Sequence, residues 1–355
     1  MEIPRITIIG AGLSGLTIAC LLQDSGFPAT ILEARNRLGG RIYTHRQEGM
    51  APIELGATWF GNQHKYLIDL MQELGVERER QHIGDDLYYE MNSMSPPQLV
   101  HLPSGNDETY RLKKGTDSLI HALAGRLDGE SRIRTGVVVK RITKVPEKIK
   151  LTTSKGDVET DILISTIPPK LFSDTVTVEP ALPSAFMQTA ASTHTWMAES
   201  IKIGFRYKRP FWRDAGLSGT IMSNTGPVTE MYDHSSYGDE AYALKGFMAG
   251  AYYSVSPQSR KEAALQQLRK FYGEQMLNPL STVEKVWRDD PFTFSEYSEN
   301  VIPHQNNGHD VYHKSYLNGS LWFAGAETSA ISPGYMDGAV NSAVMVVKKI
   351  LEQIR

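Results

Sequence analysis

Six residues near the N-terminus, Gly10 to Gly15 (GAGLSG), constrain this chain more than any other stretch. They follow a short apolar run, Arg5 to Ile9 (RITII), and precede an apolar helical pattern, Leu16 to Leu22. A second apolar run, Ala29 to Leu32, ends in an acid, Glu33. Strand, glycine turn, helix and parallel strand in such close succession make the βαβ unit of a doubly wound α/β sheet. In the pattern G-x-G-x-x-G, Gly10 permits the tight turn, Gly12 lets the backbone approach a ligand phosphate, and Gly15 lets helix and strand pack closely. The phosphate charge then meets free N–H groups at a helix start. Ser14 offers a further hydroxyl donor, and Glu33 is placed to accept from ribose hydroxyls.

Composition narrows the partners. The 355 residues suffice for a large core and two domains, and 41% hydrophobic with 22% charged residues is ordinary for a globular enzyme. A net charge of -3 gives no reason to expect nucleic acid. The single cysteine, Cys20, allows neither an internal disulfide nor a thiolate metal cluster, so no metal site is expected. It also fits a reducing compartment, and a cytoplasmic location is the expectation. The N-terminus lacks a secretory pattern, and no apolar run is long enough to predict a membrane span. The C-terminal segment is amphipathic, with Lys348, Lys349, Glu352 and Arg355, and reads as a core helix.

The two ends of the chain share one pattern. A helix is expected over Thr116 to Leu127, with strands at Val137 to Ile142, Ile149 to Ser154 and Asp161 to Thr166. Residues 78–103 show weak periodicity; from Pro183 to Trp287 there are long alternating stretches, such as Ser200 to Tyr207, and a helix over Gln258 to Tyr272. An apolar strand returns at Leu321 to Ala324, followed by a helix from Met336 to Ile354. The expected fold class is α/β: a Rossmann-like dinucleotide-binding domain interrupted by a mixed-sheet-plus-helix domain. The boundaries expected are 1–78, 112–190 and 288–355 for the first, and 79–111 and 191–287 for the second.

Two further glycine segments lie downstream. Glu33 to Arg41 (EARNRLGGR) sets Gly39, Gly40 and Arg41 just past the second strand, where glycines beside a cation suit a phosphate. Glu54 to Gly61 (ELGATWFG) would bring backbone close to a flat ligand. With DILISTIPP at Asp161 to Pro169 and FAGAETSAISPGYMDGAVNSA at Phe323 to Ala343, the sequence resembles the flavin-containing amine oxidases: monoamine oxidases, polyamine oxidases and L-amino-acid oxidases. The motifs stand in the family's order and span most of the chain.

That resemblance implies bound FAD and a role for each matched residue. Glu33 would bind the adenosine ribose, and Arg35, Gly40 and Arg41 would lie along the pyrophosphate. Gly56, Ala57, Thr58 and Trp59 would run beside the ribityl chain and isoalloxazine. Val139 would offer backbone hydrogen bonds to adenine. Ala326 and Glu327 would contact the ribityl–phosphate chain, while Gly334, Tyr335 and Met336 would sit at the pyrimidine end of the flavin. A helix starting near Met336 would point its positive end at charge developing on the reduced ring.

The same resemblance implies a substrate end. Tyr335 and Tyr297 would form an aromatic pair admitting an amine, Trp287 would pack on the flavin, and Lys202 would reach the ring through a water. Alternation alone puts Lys202 on a polar face with Arg206 and Lys208, opposite Ile201, Ile203, Phe205 and Tyr207. Where some monoamine oxidases attach flavin through a cysteine, this chain has Glu296, so non-covalent FAD is expected. Glu296 beside the cavity would favour a cationic substrate tail. The family's helical insertion is shortened here to residues 79–111, which predicts a more open cavity. The activity implied is oxidation of a small-molecule amine: hydride from the α-carbon to flavin N5, imine hydrolysis, and reoxidation by dioxygen with release of hydrogen peroxide. Alternatives are a desaturase or isomerase sharing the terminal motifs, a flavin-binding protein without turnover, and a nicotinamide dehydrogenase. The sequence leaves the particular amine, the electron acceptor (oxidase or dehydrogenase) and the oligomeric state open.

Overall fold

The computed structural model describes residues 3–101, 108–236, 238 and 240–354. Its central sheet has five parallel strands, ordered Arg132–Arg134, Ala29–Leu32, Ile6–Ile9, Ile162–Ser165 and Leu321–Phe323. The strand order reverses between Ile6–Ile9 and Ile162–Ser165. Open α/β sheets bind ligands outside the carboxyl ends of the strands at such a reversal. The first helix, Leu13–Asp24, starts at that point. It sits close to the turn because Gly15 has no side chain: a Cβ there would overlap the Gly10 carbonyl oxygen and lie 3.1 Å from its carbonyl carbon. The last helix, Met336–Ile354, packs along the first, and Leu16, Ile18, Leu22, Ala343, Val346 and Ile350 join in one core. The other face of the sheet, including Leu32, Leu163 and Phe323, packs with Val139–Lys144, Ile149–Thr153 and the aromatic pair Phe172 and Phe186.

A second, seven-stranded sheet runs Ser281–Val286, Ile201–Tyr207, Tyr242–Met248, Val228–Asp233, Ile221–Ser223, Asp86–Glu90, Gln98–His101. It is mixed, because Ile221–Ser223 runs parallel to Asp86–Glu90 whereas the other neighbours are antiparallel. Residues 79–111 therefore hold no long helix among those described; part of them forms a hairpin that widens this sheet. The helix Pro257–Tyr272 covers one face, burying Ala264, Leu268 and Phe271 against Ile201, Ile203 and Phe205.

The strand Ile201–Tyr207 is buried at every position, so its polar alternation does not mark a solvent face. Lys202, Gly204 and Arg206 face the segment 51–56. Gly204 makes that approach possible, since a Cβ there would stand 2.6 Å from Ile53 Cγ2. Arg206 donates from Nε to the Ala51 carbonyl at 2.7 Å, and Trp287 donates from Nε1 to the Leu55 carbonyl at 2.7 Å. The second glycine segment is thus pinned between the two sheets. Among the described residues no helix is long and apolar enough to cross a membrane, and no cluster of ligating side chains would hold a metal ion.

Candidate active site

One cavity of about 790 Å³ runs from the glycine turn to the pinned segment. Gly10, Gly12, Ser14, Glu33, Arg35, Gly39, Gly40 and Arg41 line one end. Gly56, Ala57, Thr58, Trp59, Lys202 and Trp287 line the other, joined by Ala326, Gly334, Tyr335 and Met336. Val139 lines it beside Val137 and Val138. Residues from widely separated stretches of sequence thus converge on a single space. Gly15 lies beneath this surface in the helix–turn contact, and Glu327 lies behind Arg41.

The first end is built for a phosphate and a ribose. Gly12, the N-cap of the first helix, makes no side-chain cap hydrogen bond, which leaves the helix's first N–H groups open to a ligand. Ser14 Oγ is buried without a hydrogen-bond partner, although a hydroxyl in that state costs free energy. Glu33 accepts from the Ala11 N–H at 2.8 Å and the Arg35 N–H at 2.9 Å, which fixes its carboxylate while leaving lone pairs for hydroxyl donors. A helix start, an orphaned hydroxyl and a fixed carboxylate along one cleft suit the diphosphate and ribose of a dinucleotide.

Both arginines expected along the phosphates have their charge already matched. Arg41 forks onto Glu327, Nη1 and Nη2 reaching its two oxygens at 2.6 and 2.7 Å. Glu327 also accepts the Trp196 N–H at 3.1 Å. Arg35 donates to Asp290 at 2.5 Å and to the Thr293 hydroxyl at 2.7 Å. Negative charge in the cavity therefore meets backbone N–H groups and the helix start more than free cations. Behind Glu327, the Ser342 hydroxyl accepts the Gly325 N–H at 3.1 Å and meets the Thr328 hydroxyl at 2.7 Å, which ties this loop to the last helix. The N-terminal turn of that helix, Met336 and Ala339, lines the cavity as well.

Aromatic rings and one lysine line the rest of the cavity. Tyr335 is 39% exposed at the mouth, 5.8 Å from the Trp196 ring, and His304 stacks on Trp196 at 4.1 Å. Trp59 meets Tyr232 edge-on at 5.0 Å, with Phe247 at 5.9 Å. The Lys202 ammonium donates to the Gly56 carbonyl, and burial lowers its pKa to about 8 against the opposing pull of Glu54. Glu230 lines this end and accepts from the Tyr232 hydroxyl at 2.9 Å.

Tyr297 and Glu296 are placed differently from the sequence reading. Tyr297 does not line the cavity. Its hydroxyl accepts the Thr195 N–H at 2.8 Å and donates to the Thr193 carbonyl at 3.2 Å, so a backbone loop captures the ring. Trp196, not Tyr297, stands beside Tyr335. Glu296 is 81% exposed and paired with Arg288 at 3.1 Å, away from the cavity. Trp196, Glu230, Tyr232, Phe247 and Lys245 escaped the sequence reading because nothing local marks them. Cys20 lies in the first helix, donates to the Leu123 carbonyl at 3.4 Å and is absent from the lining.

Comparison with known proteins agrees with this architecture. The family model "Flavin containing amine oxidoreductase" matches residues 13–93 and 89–351. The chain is 24% identical to "Probable flavin-containing monoamine oxidase A" of Dictyostelium discoideum, over 98% of each chain. It is 22% identical to "Amine oxidase [flavin-containing] B" of Sus scrofa, covering 98% of this chain and 86% of that one. It shares its fold with cyclohexylamine oxidase from Brevibacterium oxydans IH-35A, at TM-score 0.84 and 20% identity, covering 99% and 100% of the two chains. A putrescine oxidase structure described as bound to putrescine superposes at TM-score 0.84 and 19% identity, covering 98% and 99%. With its two sheets, its dinucleotide cleft and a family match spanning nearly its whole length, this chain belongs to the flavin-containing amine oxidoreductases, FAD-dependent enzymes acting on small-molecule amines.

Proposed function

We propose that this chain oxidises an amine, neutral at the reacting nitrogen, at the end of the cavity formed by Tyr335, Trp196, Lys202 and Glu230, with dioxygen as electron acceptor and hydrogen peroxide as product. The observation that carries this reading is the continuity of the cavity, from the Ser14 hydroxyl and Glu33 at one end to Lys202 at the other. FAD, held non-covalently, supplies the two-electron oxidant for the amine's α C–H bond, and water hydrolyses the resulting imine.

In this reading residues 1–78, 112–190 and 288–355 hold the cofactor, while 79–111 and 191–287 shape the substrate end. Glu33 receives the ribose hydroxyls, Ser14 and the first helix receive the diphosphate, and the Val139 backbone receives the adenine. Gly56 to Trp59, Trp287, Ala326 and Gly334 to Met336 border the flavin. Tyr335 and Trp196 present ring faces to the incoming amine, whose cationic form they attract. Lys202 holds or releases a proton at Nζ beside the bound ring.

Glu230 and Glu33 are the two carboxylates among the described lining residues, and Glu33 belongs to the dinucleotide end. A carboxylate at the substrate end favours an amine carrying a second positive charge. The test is anaerobic addition of monoamines, diamines and amino acids to the yellow protein, followed by admission of air. Loss of flavin colour with diamines ahead of monoamines, then peroxide, supports the reading. Bleaching by none of the panel overturns it, and bleaching without peroxide in air removes dioxygen as the acceptor.

A further inference from the structure

The mechanism above uses one lysine, but the structure buries two. Lys245, in the strand Tyr242–Met248 beside Ile201–Tyr207, is 0% exposed. Its Nζ donates to the Thr58 hydroxyl at 2.6 Å, stands 3.8 Å from the centre of the Trp59 ring, and shares the Phe247 ring with Lys202, the two ammonium nitrogens lying 5.5 and 4.8 Å from its centre. Gly204 stands opposite Lys245 in the register, so no side chain separates Lys245 from the Lys202 side of the neighbouring strand. Two ammonium ions over one ring in a dry site repel strongly, so the arrangement is most stable with a single positive charge on the two amines.

We propose that Lys245 is a positioning residue for Lys202: its amine accepts a hydrogen bond from Lys202 Nζ and is the group to which Lys202 passes its proton. In that transfer one N–H bond breaks at Lys202 and one forms at Lys245, and the pair keeps a single positive charge throughout. Thr58, itself on the cavity wall, anchors the acceptor, and Gly56 anchors the donor. The inference rests on the reading of Lys202 as the proton-handling group at the redox end of the cavity.

The groups around the pair agree with one shared proton. Glu54 from the strand Ile53–Glu54 and Glu230 from Val228–Asp233 are its carboxylate neighbours. Arg111 acts on Lys245, and His234 lies in the field of both lysines and of Arg206. Tyr232 pairs with Lys245 across the sheet, and Lys285, paired in register with Lys202, is turned to Asp290 at 2.9 Å. Burial and the charge on Lys202 both lower the proton affinity of Lys245, so the resting proton sits on Lys202.

The sign of a single shift tests this. In FAD-loaded protein carrying 13C at the lysine ε-carbons, the Lys202 resonance, assigned by its loss in Lys202→Met, is titrated in the wild type, Lys245→Met and Lys245→Gln. If Lys245 accepts the hydrogen bond, Lys245→Met deprives the ammonium of its acceptor, and the Lys202 midpoint falls by a pH unit or so. Lys245→Gln, which still accepts through its amide oxygen, keeps the midpoint near that of the wild type. A rise in Lys245→Met would mean that Lys245 is itself a cation, and it would overturn the proposal, as would no change. An unfolded Lys245→Met leaves Lys245→Gln to decide, since a midpoint displaced in that variant also overturns the proposal. The titration needs no amine turnover. Failure of the amine-oxidase reading would instead show as unaltered flavin chemistry in Lys202→Met, with the lysine shifts intact.

Discussion

Alanine at position 15 would put a methyl group where the structure has none to spare. The added Cβ would overlap the Gly10 carbonyl oxygen and stand 3.1 Å from the Gly10 carbonyl carbon and 3.4 Å from Ile8 Cγ2. The neighbours at fault are backbone atoms of the turn, which cannot rotate away. The first helix must therefore retreat by roughly 1 Å, an overpacking that costs about 1–3 kcal/mol. At about 2–4 °C per kcal/mol, Gly15→Ala should melt roughly 2–12 °C below the wild type. The same retreat draws the first N–H groups of the helix away from the diphosphate. Losing one charge-assisted hydrogen bond of about 1.5–3 kcal/mol weakens FAD binding roughly tenfold or more. The assay is the ratio of flavin to protein absorbance after gel filtration, together with a thermal melt. Gly125→Ala is the control: it lies in the helix Asp117–Arg126 with nothing within 4 Å of the added Cβ, and should stabilise by about 0.4–1 kcal/mol. Full flavin content and an unchanged melt in Gly15→Ala would refute the assigned contact between turn, helix and cofactor.

Further predictions concern the buried ionisable groups. Lys202→Met should keep FAD bound yet slow flavin reduction or reoxidation, and should lack the change in rate expected of the wild type near pH 8, since burial lowers the Lys202 pKa to about 8; stopped-flow traces across about pH 6–10 check this. Burial raises the Glu54 carboxyl from 4.5 to about 7, so the folded state holds that proton more tightly than the unfolded chain. Its contribution to stability is full below about pH 4.5 and is lost as pH rises through 7. Urea titrations should therefore show Glu54→Gln gaining on the wild type between pH 5 and 7.5, by on the order of 2 kcal/mol. Burial also pushes the Cys20 thiol up to about 11, so a thiol reagent should label the protein only in denaturant, and acid precipitation should leave the flavin in the supernatant. Arg41→Met strands the Glu327 carboxylate, which is 1% exposed, and should cost about 3–5 kcal/mol in chemical denaturation, against far less for Arg5→Met at the exposed Asp161 pair.

The sequence showed the parts of this molecule whose chemistry is local. The glycine turn, the strand end at Glu33 and the helix after Leu321 lie where the sequence placed them, because a tight turn, a short strand and a helix start each need particular residues at fixed spacing. Lys202 was marked by the motif around it, although alternation alone assigned it to a polar face. Whether that face meets water or a second sheet is a matter of topology, which no window of sequence contains. The same gap hid Lys245, an unremarkable lysine in the run YALKGFM until its strand is set beside Ile201–Tyr207. Tyr297 went wrong for the opposite reason. Its spacing from Trp287 matched a pattern, but the loop at Thr193 to Thr195, a hundred residues earlier, takes its hydroxyl. The hairpin within residues 79–111 was illegible because its edge strand, Gln98–His101, faces water and its inner strand, Asp86–Glu90, is only partly buried, so neither carries clear alternation.

The clasp between Arg41 and Glu327 joins residues 286 positions apart in the sequence. A ribosome delivers the first of these long before the second, so the emerging chain displays its glycine turn with one wall of the cofactor chamber still unsynthesised. Loading therefore waits until the segment around Glu327 has emerged, and a product terminated before it would stay colourless however sound its opening βαβ unit. Vitamin supply during expression would then govern how much finished protein is yellow, without altering how its leading segment folds.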